Sequence, residues 1–213
     1  MSQGAELDWE AAWVPCDDET CAWVLERVRP GEQVLDIGAG DLRLAIRMAQ
    51  RGVSVVALER RADVLERGLR QLGESGRRLR WDRPLSLLGG RLAVIWADAR
   101  DWPFPPVDSA VLLMRHCSRF AHYVSKLRAI GCRRLFTNAR WRLGVEEMDL
   151  WAGRPFESVE IGWYACRCGA VGFREGEPDR VDAAALERVY EVESCPACTA
   201  WPGSGLPTSG AWE

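Results

Sequence analysis

The first 140 residues of this chain alternate short apolar runs with longer segments in which apolar residues recur at helical spacing. The short runs predict strands at 32–37, 53–58, 92–97, 109–114 and 134–137. The amphipathic segments predict helices at 17–29, 42–49, 62–72 and 119–130. Strands that alternate with helices predict an α/β domain, in which a mostly parallel sheet carries helices on both faces.

Beyond residue 141 this alternation stops. Short strand-like runs at 159–164 and 189–192 bracket two cysteine pairs, and the last residues are rich in Gly, Ser and Pro. We therefore predict a small β-rich module after the α/β domain and a disordered tail. The predicted organisation is a helical lead-in at 1–30, the α/β domain at 31–153, the module at 154–201 and the tail at 202–213.

Composition narrows the class of protein. The formal net charge is −3 over 213 residues, so long-range attraction to nucleic acid is not expected. No apolar run reaches the roughly 20 residues that cross a bilayer, and the polar N-terminus resembles no signal peptide. We expect a cytoplasmic protein with no membrane partner. We interpret the basic run at 77–80 as a solvated face and place Trp23 and Trp96 in the core.

Two glycines and three acidic residues mark the ends of the first three predicted strands. Gly38 and Gly40 follow the first strand, in a turn where the absence of Cβ lets the backbone approach a ligand closely. Asp36, Glu59 and Asp98 end the three strands, so we expect them at one edge of the sheet. A carboxylate after the second strand can accept both hydroxyls of a ribose. One after the third strand can accept the exocyclic amino group of adenine.

These segments resemble class I S-adenosylmethionine (AdoMet)-dependent methyltransferases over about residues 14–140. Residues 34–41, Val-Leu-Asp-Ile-Gly-Ala-Gly-Asp, are similar to the first family motif, and Leu42 stands where the commonest form has a third glycine. Residues 97–104, Ala-Asp-Ala-Arg-Asp-Trp-Pro-Phe, resemble the adenine-binding segment. The resemblance implies a Rossmann-like methyltransferase fold with AdoMet as cofactor. It implies cofactor contacts from Asp36, Gly38, Gly40, Glu59, Asp98, Ala99 and Met114.

The alternative for this fold is an NAD-type Rossmann domain. Its fingerprint requires a glycine two residues after Asp41, where this chain has Arg43. It also gives no reason for the Asp-Ala step after the third strand. We therefore favour the methyltransferase interpretation.

The methyl acceptor of such enzymes meets the cofactor beyond the strand at 109–114. His116 is a candidate general base at this edge, and a local structural histidine is the alternative. Cys117 lacks the preceding proline of carbon-5 pyrimidine methyltransferases, so covalent catalysis is disfavoured. Asn138, Arg140 and Trp141 follow the strand at 134–137 and are candidates for the wall of the acceptor pocket.

Two cysteine pairs near the C-terminus predict a metal site. Cys166 and Cys168 enclose one residue, and Cys195 and Cys198 enclose two. Four thiolates arranged as a tetrahedron form a closed structural zinc site, and the turns resemble the knuckles of zinc ribbons. Iron bound by four sulfurs is the alternative, since geometry alone does not separate the two metals.

The sequence thus predicts a methyltransferase with structural Zn²⁺ and a macromolecular acceptor, either a protein or an RNA. Two alternatives stay open. One is a noncatalytic protein in which the zinc-ribbon-like module binds a partner. The other is a small-molecule methyltransferase, which predicts a closed apolar pocket, whereas a macromolecular acceptor requires an open, charged rim.

Overall fold

The computed structural model describes residues 15–71, 85–87, 90–115, 117–140 and 144–200. The predictions for the segment before residue 15, the basic run at 77–80, His116, Trp141 and the tail lie outside these residues. Within the described ranges, no helix is both long and apolar enough to cross a membrane.

Six helices and ten strands make up this part of the chain. The helices are α1 (Asp18–Leu25), α2 (Arg43–Gln50), α3 (Ala62–Gln71), α4 (Phe120–Ala129), α5 (Ala183–Glu187) and α6 (Pro196–Ala200). The first seven strands are β1 (Gln33–Ile37), β2 (Ser54–Glu59), β3 (Leu85–Leu87), β4 (Gly90–Trp96), β5 (Ser109–Leu112), β6 (Arg134–Thr137) and β7 (Glu146–Asp149). The last three are β8 (Gly162–Cys166), β9 (Val171–Arg174) and β10 (Val189–Val192).

The first seven strands form one sheet in the order β3-β4-β2-β1-β5-β6-β7. The five inner strands are parallel, and β3 and β7 are antiparallel at the two edges. The strand order reverses between β1 and β5, where ligands bind in doubly wound sheets. The predicted Rossmann-like α/β fold is confirmed.

Alternate residues of the parallel strands pack into two apolar cores, one on each face of the sheet. Val34 of β1 packs with side chains of α1, α2 and α3. Its neighbour Leu35 packs with side chains of α4 on the other face. The period of two along each strand therefore accounts for helices on both faces.

The C-terminal module contains a second, three-stranded sheet in the order β10-β8-β9, which confirms the predicted small β-rich module. Strand β10 is parallel to β8, and β9 is antiparallel to it. The predicted strand at 159–164 begins later, at Gly162, since Phe156–Ser158 form a turn of 3₁₀ helix.

The prediction that Trp96 lies in the core is wrong. Trp96 lies at the end of β4 and is 57% exposed, and its indole N–H donates to the carbonyl of Arg60 at 2.9 Å. Trp23, by contrast, is half-buried and packs edge-on against Phe136.

Candidate functional site

A cavity of about 530 Å³ opens at the carboxyl edge of the large sheet. This size lies within the range of small-molecule sites. All seven predicted cofactor contacts line it: Asp36, Gly38, Gly40, Glu59, Asp98, Ala99 and Met114. The structure therefore brings together residues that are up to 78 positions apart in the sequence, from 36 to 114.

The turn after β1 joins the end of β2 through the carboxylate of Glu59. Oε2 of Glu59 accepts a hydrogen bond of 2.9 Å from the amide of Gly40, and Oε1 accepts one of 2.8 Å from the amide of Arg61. Gly38 has a φ of +72°, and a Cβ there would lie 2.9 Å from Sδ of Met114. Glycine is thus required at residue 38 by both backbone conformation and space.

Leu42, the departure from the family motif, has the backbone of a glycine. It lies in the left-handed region with φ 64°, yet its side chain is fully buried. Gly68 of α3 makes room for this arrangement, since a Cβ there would lie 2.3 Å from the carbonyl oxygen of Asp41. Close packing of α3 against the turn therefore requires glycine at residue 68.

Asp36 is a buried carboxylate at the end of β1 that lines the cavity. Only 4% of the residue is exposed, and among the described residues no donor bonds to its oxygens. Burial, reinforced by the charge of Glu59, raises the pKa of Asp36 to about 7. A positively charged ligand group beside it would stabilise the ionised form.

The start of α1 and Asp41 contribute a further wall of the cavity, which the sequence does not predict. Asp41 lines the cavity and pairs with Arg43, whose Nη2 lies 2.6 Å from its carboxylate. Asp17 caps α1, where it accepts from the amide of Thr20 at 2.7 Å. Nothing in the sequence pattern distinguishes these residues from ordinary caps and surface pairs.

The predicted adenine segment is held by the only lysine of the chain. The ammonium of Lys126 in α4 donates to the carbonyls of Ala99 (2.6 Å), Arg100 (3.1 Å) and Trp102 (2.7 Å). It also lies 4.0 Å from the centre of the Phe104 ring. These three hydrogen bonds use all three N–H donors of the ammonium group.

Asp98 lines the cavity with its carboxylate already engaged. Arg100 donates to it from the backbone amide at 2.9 Å and from the guanidinium. These hydrogen bonds lower the pKa of Asp98, so the carboxylate stays ionised at neutral pH.

The opposite side of the cavity follows β5 and β6. Met114, Arg115, Tyr123 and Asn138 line it, and Asn138 is one of the residues predicted for the wall of the acceptor pocket. Oδ1 of Asn138 is buried and has no hydrogen-bond partner among the described residues. Arg140, also predicted for this wall, instead lies outside the lining, with its side chain fully buried.

The four predicted metal ligands converge. The sulfurs of Cys166, Cys168, Cys195 and Cys198 lie within 4.8 Å of one another. Three of the separations are 3.6 Å (Cys166 to Cys198), 3.7 Å (Cys168 to Cys195) and 3.8 Å (Cys195 to Cys198). Four sulfurs at about 2.3 Å from a tetrahedral zinc lie about 3.8 Å apart. The donor set and its dimensions therefore fit a four-coordinate metal ion.

Electrostatics of the cluster also favour a cation. A hydrogen bond from Cys166 lowers the pKa of Cys168 to about 5. Burial and the charge of Cys168 raise the pKa of Cys195 to about 11. Four thiolates crowded together repel one another, so a bound cation is needed to ionise all of them.

Arg140 connects the cysteine module to the large sheet. Its guanidinium donates to Glu146 of β7 and, at 2.7 and 2.8 Å, to Glu191 of β10. Burial opposes its charge, but these hydrogen bonds outweigh burial and raise its pKa. Because Arg140 follows Asn138 by two residues, the same segment touches the cavity and the module.

No protein-family model matches the sequence, and no curated protein matches it. Solved structures with a similar fold include magnesium protoporphyrin IX methyltransferase from Synechocystis PCC 6803, at 20% identity and a TM-score of 0.41. That similarity covers 56% of this chain and 55% of the other. A SAM-dependent methyltransferase from Thiobacillus denitrificans is 19% identical, with a TM-score of 0.43, over 57% of this chain and 48% of the other.

An RNA methyltransferase from Salinibacter ruber is 16% identical, with a TM-score of 0.48, over 69% of this chain and 100% of the other. The chain spans about half the length of the first two structures. Identities and TM-scores this low do not support any inference about activity.

Proposed function

We propose that the chain is an AdoMet-dependent methyltransferase. The observation that carries this proposal is the buried carboxylate of Asp36, which has no donor among the described residues and lies beside the turn of Gly38 and Gly40. Such a group favours a cationic ligand. AdoMet carries an ammonium and a sulfonium group, so it matches this electrostatic requirement.

The carboxylates around the turn argue against a dinucleotide. In NAD-type domains the diphosphate lies at this turn. Here Asp36, Asp41 and Glu59 all line the cavity close to it, so a diphosphate would meet like charge. The antiparallel pairing of β7 with β6 also differs from the parallel second half of a dinucleotide domain.

The predicted cofactor contacts each have a role in this proposal. Glu59 accepts the ribose hydroxyls, Asp98 and Ala99 contact adenine, and Gly38, Gly40 and Met114 border the methionine part. When bound, AdoMet supplies an electrophilic methyl group. The protein orients the acceptor in line with that group and removes its proton, with His116 as the proposed base.

A macromolecular acceptor, a protein or an RNA, is supported by the rim of the cavity. Arg60, Arg61 and Arg115 line it, and all three are at least partly exposed. This charged rim favours a macromolecule over the small-molecule alternative, which calls for an apolar enclosure. The cysteine module is also linked to the cavity, because Arg140, two residues after the cavity-lining Asn138, donates to Glu191 of the module.

We propose Zn²⁺ as the metal of the four cysteines. Four protein ligands leave no open position for water or substrate, so the ion is structural. Its energy of binding contributes to the folding of the module.

Titration calorimetry with AdoMet and S-adenosylhomocysteine (AdoHcy), on protein of known metal content, tests the proposal. We expect micromolar binding, which corresponds to about −8 kcal/mol. A labelled-methyl screen over RNA and protein fractions then identifies the acceptor. No binding of either ligand refutes the proposal. Binding without transfer to any fraction favours the noncatalytic alternative.

A further inference from the structure

A pair of thiols outside the metal cluster lies at the wall of the cavity. The sulfurs of Cys16 and Cys21 are 2.9 Å apart. Cys16 is partly exposed and lines the cavity, whereas Cys21, a residue of α1, is completely buried. The other two cysteines outside the cluster, Cys117 and Cys132, are both buried.

The backbone around this pair is held in place by its neighbours. Asp17 accepts from the amide of Thr20 at 2.7 Å and from its hydroxyl at 2.9 Å. Nη1 of Arg43 donates to the carbonyl of Cys16 at 3.3 Å. A disulfide has a sulfur separation of about 2.05 Å, so the two atoms need to approach by less than about 1 Å.

We propose that Cys16 and Cys21 form a redox-active dithiol, which a low-molecular-weight disulfide such as glutathione disulfide converts into an intramolecular disulfide. The thiolate of Cys16 attacks one sulfur of the reagent, forms a mixed disulfide and releases one glutathione thiolate. The thiolate of Cys21 then attacks the sulfur of Cys16 and releases the second. Two protein thiols are oxidised, one glutathione disulfide is reduced, and two protons leave the protein.

Exposure sets this order of attack. Cys16 can meet a reagent from the cavity, but Cys21 is fully buried and lies outside the cavity lining. The contact between the two sulfurs lowers the pKa of Cys21 and, together with burial, raises the pKa of Cys16. Cys16 must therefore give up its proton before the first attack, whereas Cys21 readily supplies the thiolate for the second. A ligand that fills the cavity covers Cys16, so AdoHcy slows the first step. This last expectation rests on the proposed function.

The tryptic peptide of residues 1–27 tests the inference directly, because it contains Cys16 and Cys21 and no other cysteine. Folded, metal-loaded protein is incubated with glutathione disulfide, alkylated and digested. We expect this peptide to lose two hydrogens about ten times faster than Cys132 acquires glutathione. The far-ultraviolet circular dichroism stays unchanged, which shows that the reaction occurs in the folded state.

Two variants separate the steps. Cys21→Ser accumulates the glutathione adduct at Cys16, and Cys16→Ser leaves Cys21 free. The inference is overturned if the peptide still carries two free thiols under conditions that fully oxidise a reference dithiol. It is also overturned if glutathione becomes attached to Cys21 in the Cys16→Ser variant. If AdoHcy does not bind, only the protection by AdoHcy disappears and the disulfide still forms. The proposed function and this inference therefore fail separately.

Discussion

The amide of Gly40 donates a hydrogen bond of 2.9 Å to the carboxylate of Glu59, which joins the turn after β1 to the end of β2. Glu59 is only 6% exposed, so this carboxylate shapes the turn while it lines the cavity. One residue therefore has a structural role and a proposed role in ribose binding, and its replacement is expected to affect both.

Glu59→Gln keeps the size of the side chain but removes its charge and one acceptor. Because both carboxylate oxygens accept backbone N–H groups, we expect a loss of about 1–2 kcal/mol in stability. We also expect AdoHcy affinity to fall at least about ten-fold. Calorimetry and urea unfolding measure the two effects. Glu66→Gln, on the exposed side of α3, is the matched control and leaves both unchanged. Equal AdoHcy affinity for the two variants would remove Glu59 from the site.

Asp36 makes ligand binding depend on pH. Its pKa is about 7 in the folded protein without ligand, and a cationic ligand requires the ionised form. Affinity for AdoMet therefore rises as the pH increases from about 6 to 8. In Asp36→Asn binding is weak and this pH dependence is lost. Calorimetry over that range measures both, and a flat profile for the native protein contradicts the assignment of Asp36.

The same carboxyl group also links stability to pH. The pKa of Asp36 is raised in the folded state, to about 7, so the folded state binds more protons than the unfolded state between pH 4 and pH 7. Its contribution to stability is present at low pH and is lost as the pH rises through 7. Relative to Asp36→Asn, native stability should fall by about 3 kcal/mol between about pH 5 and pH 8. Urea unfolding of both proteins provides the test, and parallel profiles contradict it.

Lys126 is expected to position the adenine segment. Its ammonium meets three carbonyls that converge on one point, and the planar guanidinium of arginine does not match that arrangement. Lys126→Arg and Lys126→Met should both weaken AdoHcy binding by about ten-fold or more. Hydrogen exchange of residues 97–104 should increase in both variants. Arg133→Met, at the opposite edge of the sheet, is the control. If hydrogen exchange of residues 97–104 in Lys126→Arg equals that of the native protein, a positive charge alone is sufficient to hold the segment.

Much of this arrangement could be predicted from the sequence, because strand-end residues of a parallel sheet share one edge. The placement of Asp36, Glu59 and Asp98 at that edge follows from the strand pattern and this rule alone. Strand β7 was missed because Met148 is its only buried residue, so no apolar alternation marks it. The partners of Lys126 depend on packing of α4 against a loop 24 to 27 residues away, which no local pattern reveals.

The metal prediction concerns the cysteine cluster. We expect one zinc ion per chain in freshly purified protein, and its removal by a chelator should increase hydrogen exchange in β8, β9 and β10, because metal binding stabilises the fold of the module. Cys195→Ser should have the same effect. Cys132→Ser, which replaces a thiol outside the cluster, should retain the metal. Elemental analysis distinguishes zinc from iron, and the absence of any metal would refute the site.

Arg140 provides the last prediction, since it joins the module to the cavity segment. Its guanidinium lies between Glu146 and Glu191, and none of its side chain is exposed. Arg140→Met leaves two carboxylates close together without a cation, which should cost about 3–5 kcal/mol. Arg134→Met removes two ion pairs, with Glu32 and Glu147, but the Arg134 side chain is 24% exposed, so this change should cost less. If Arg140 positions the wall at Asn138, methyl transfer should fall further in Arg140→Lys than AdoHcy affinity does. Equal losses in the two measurements would show that Arg140 only stabilises the fold.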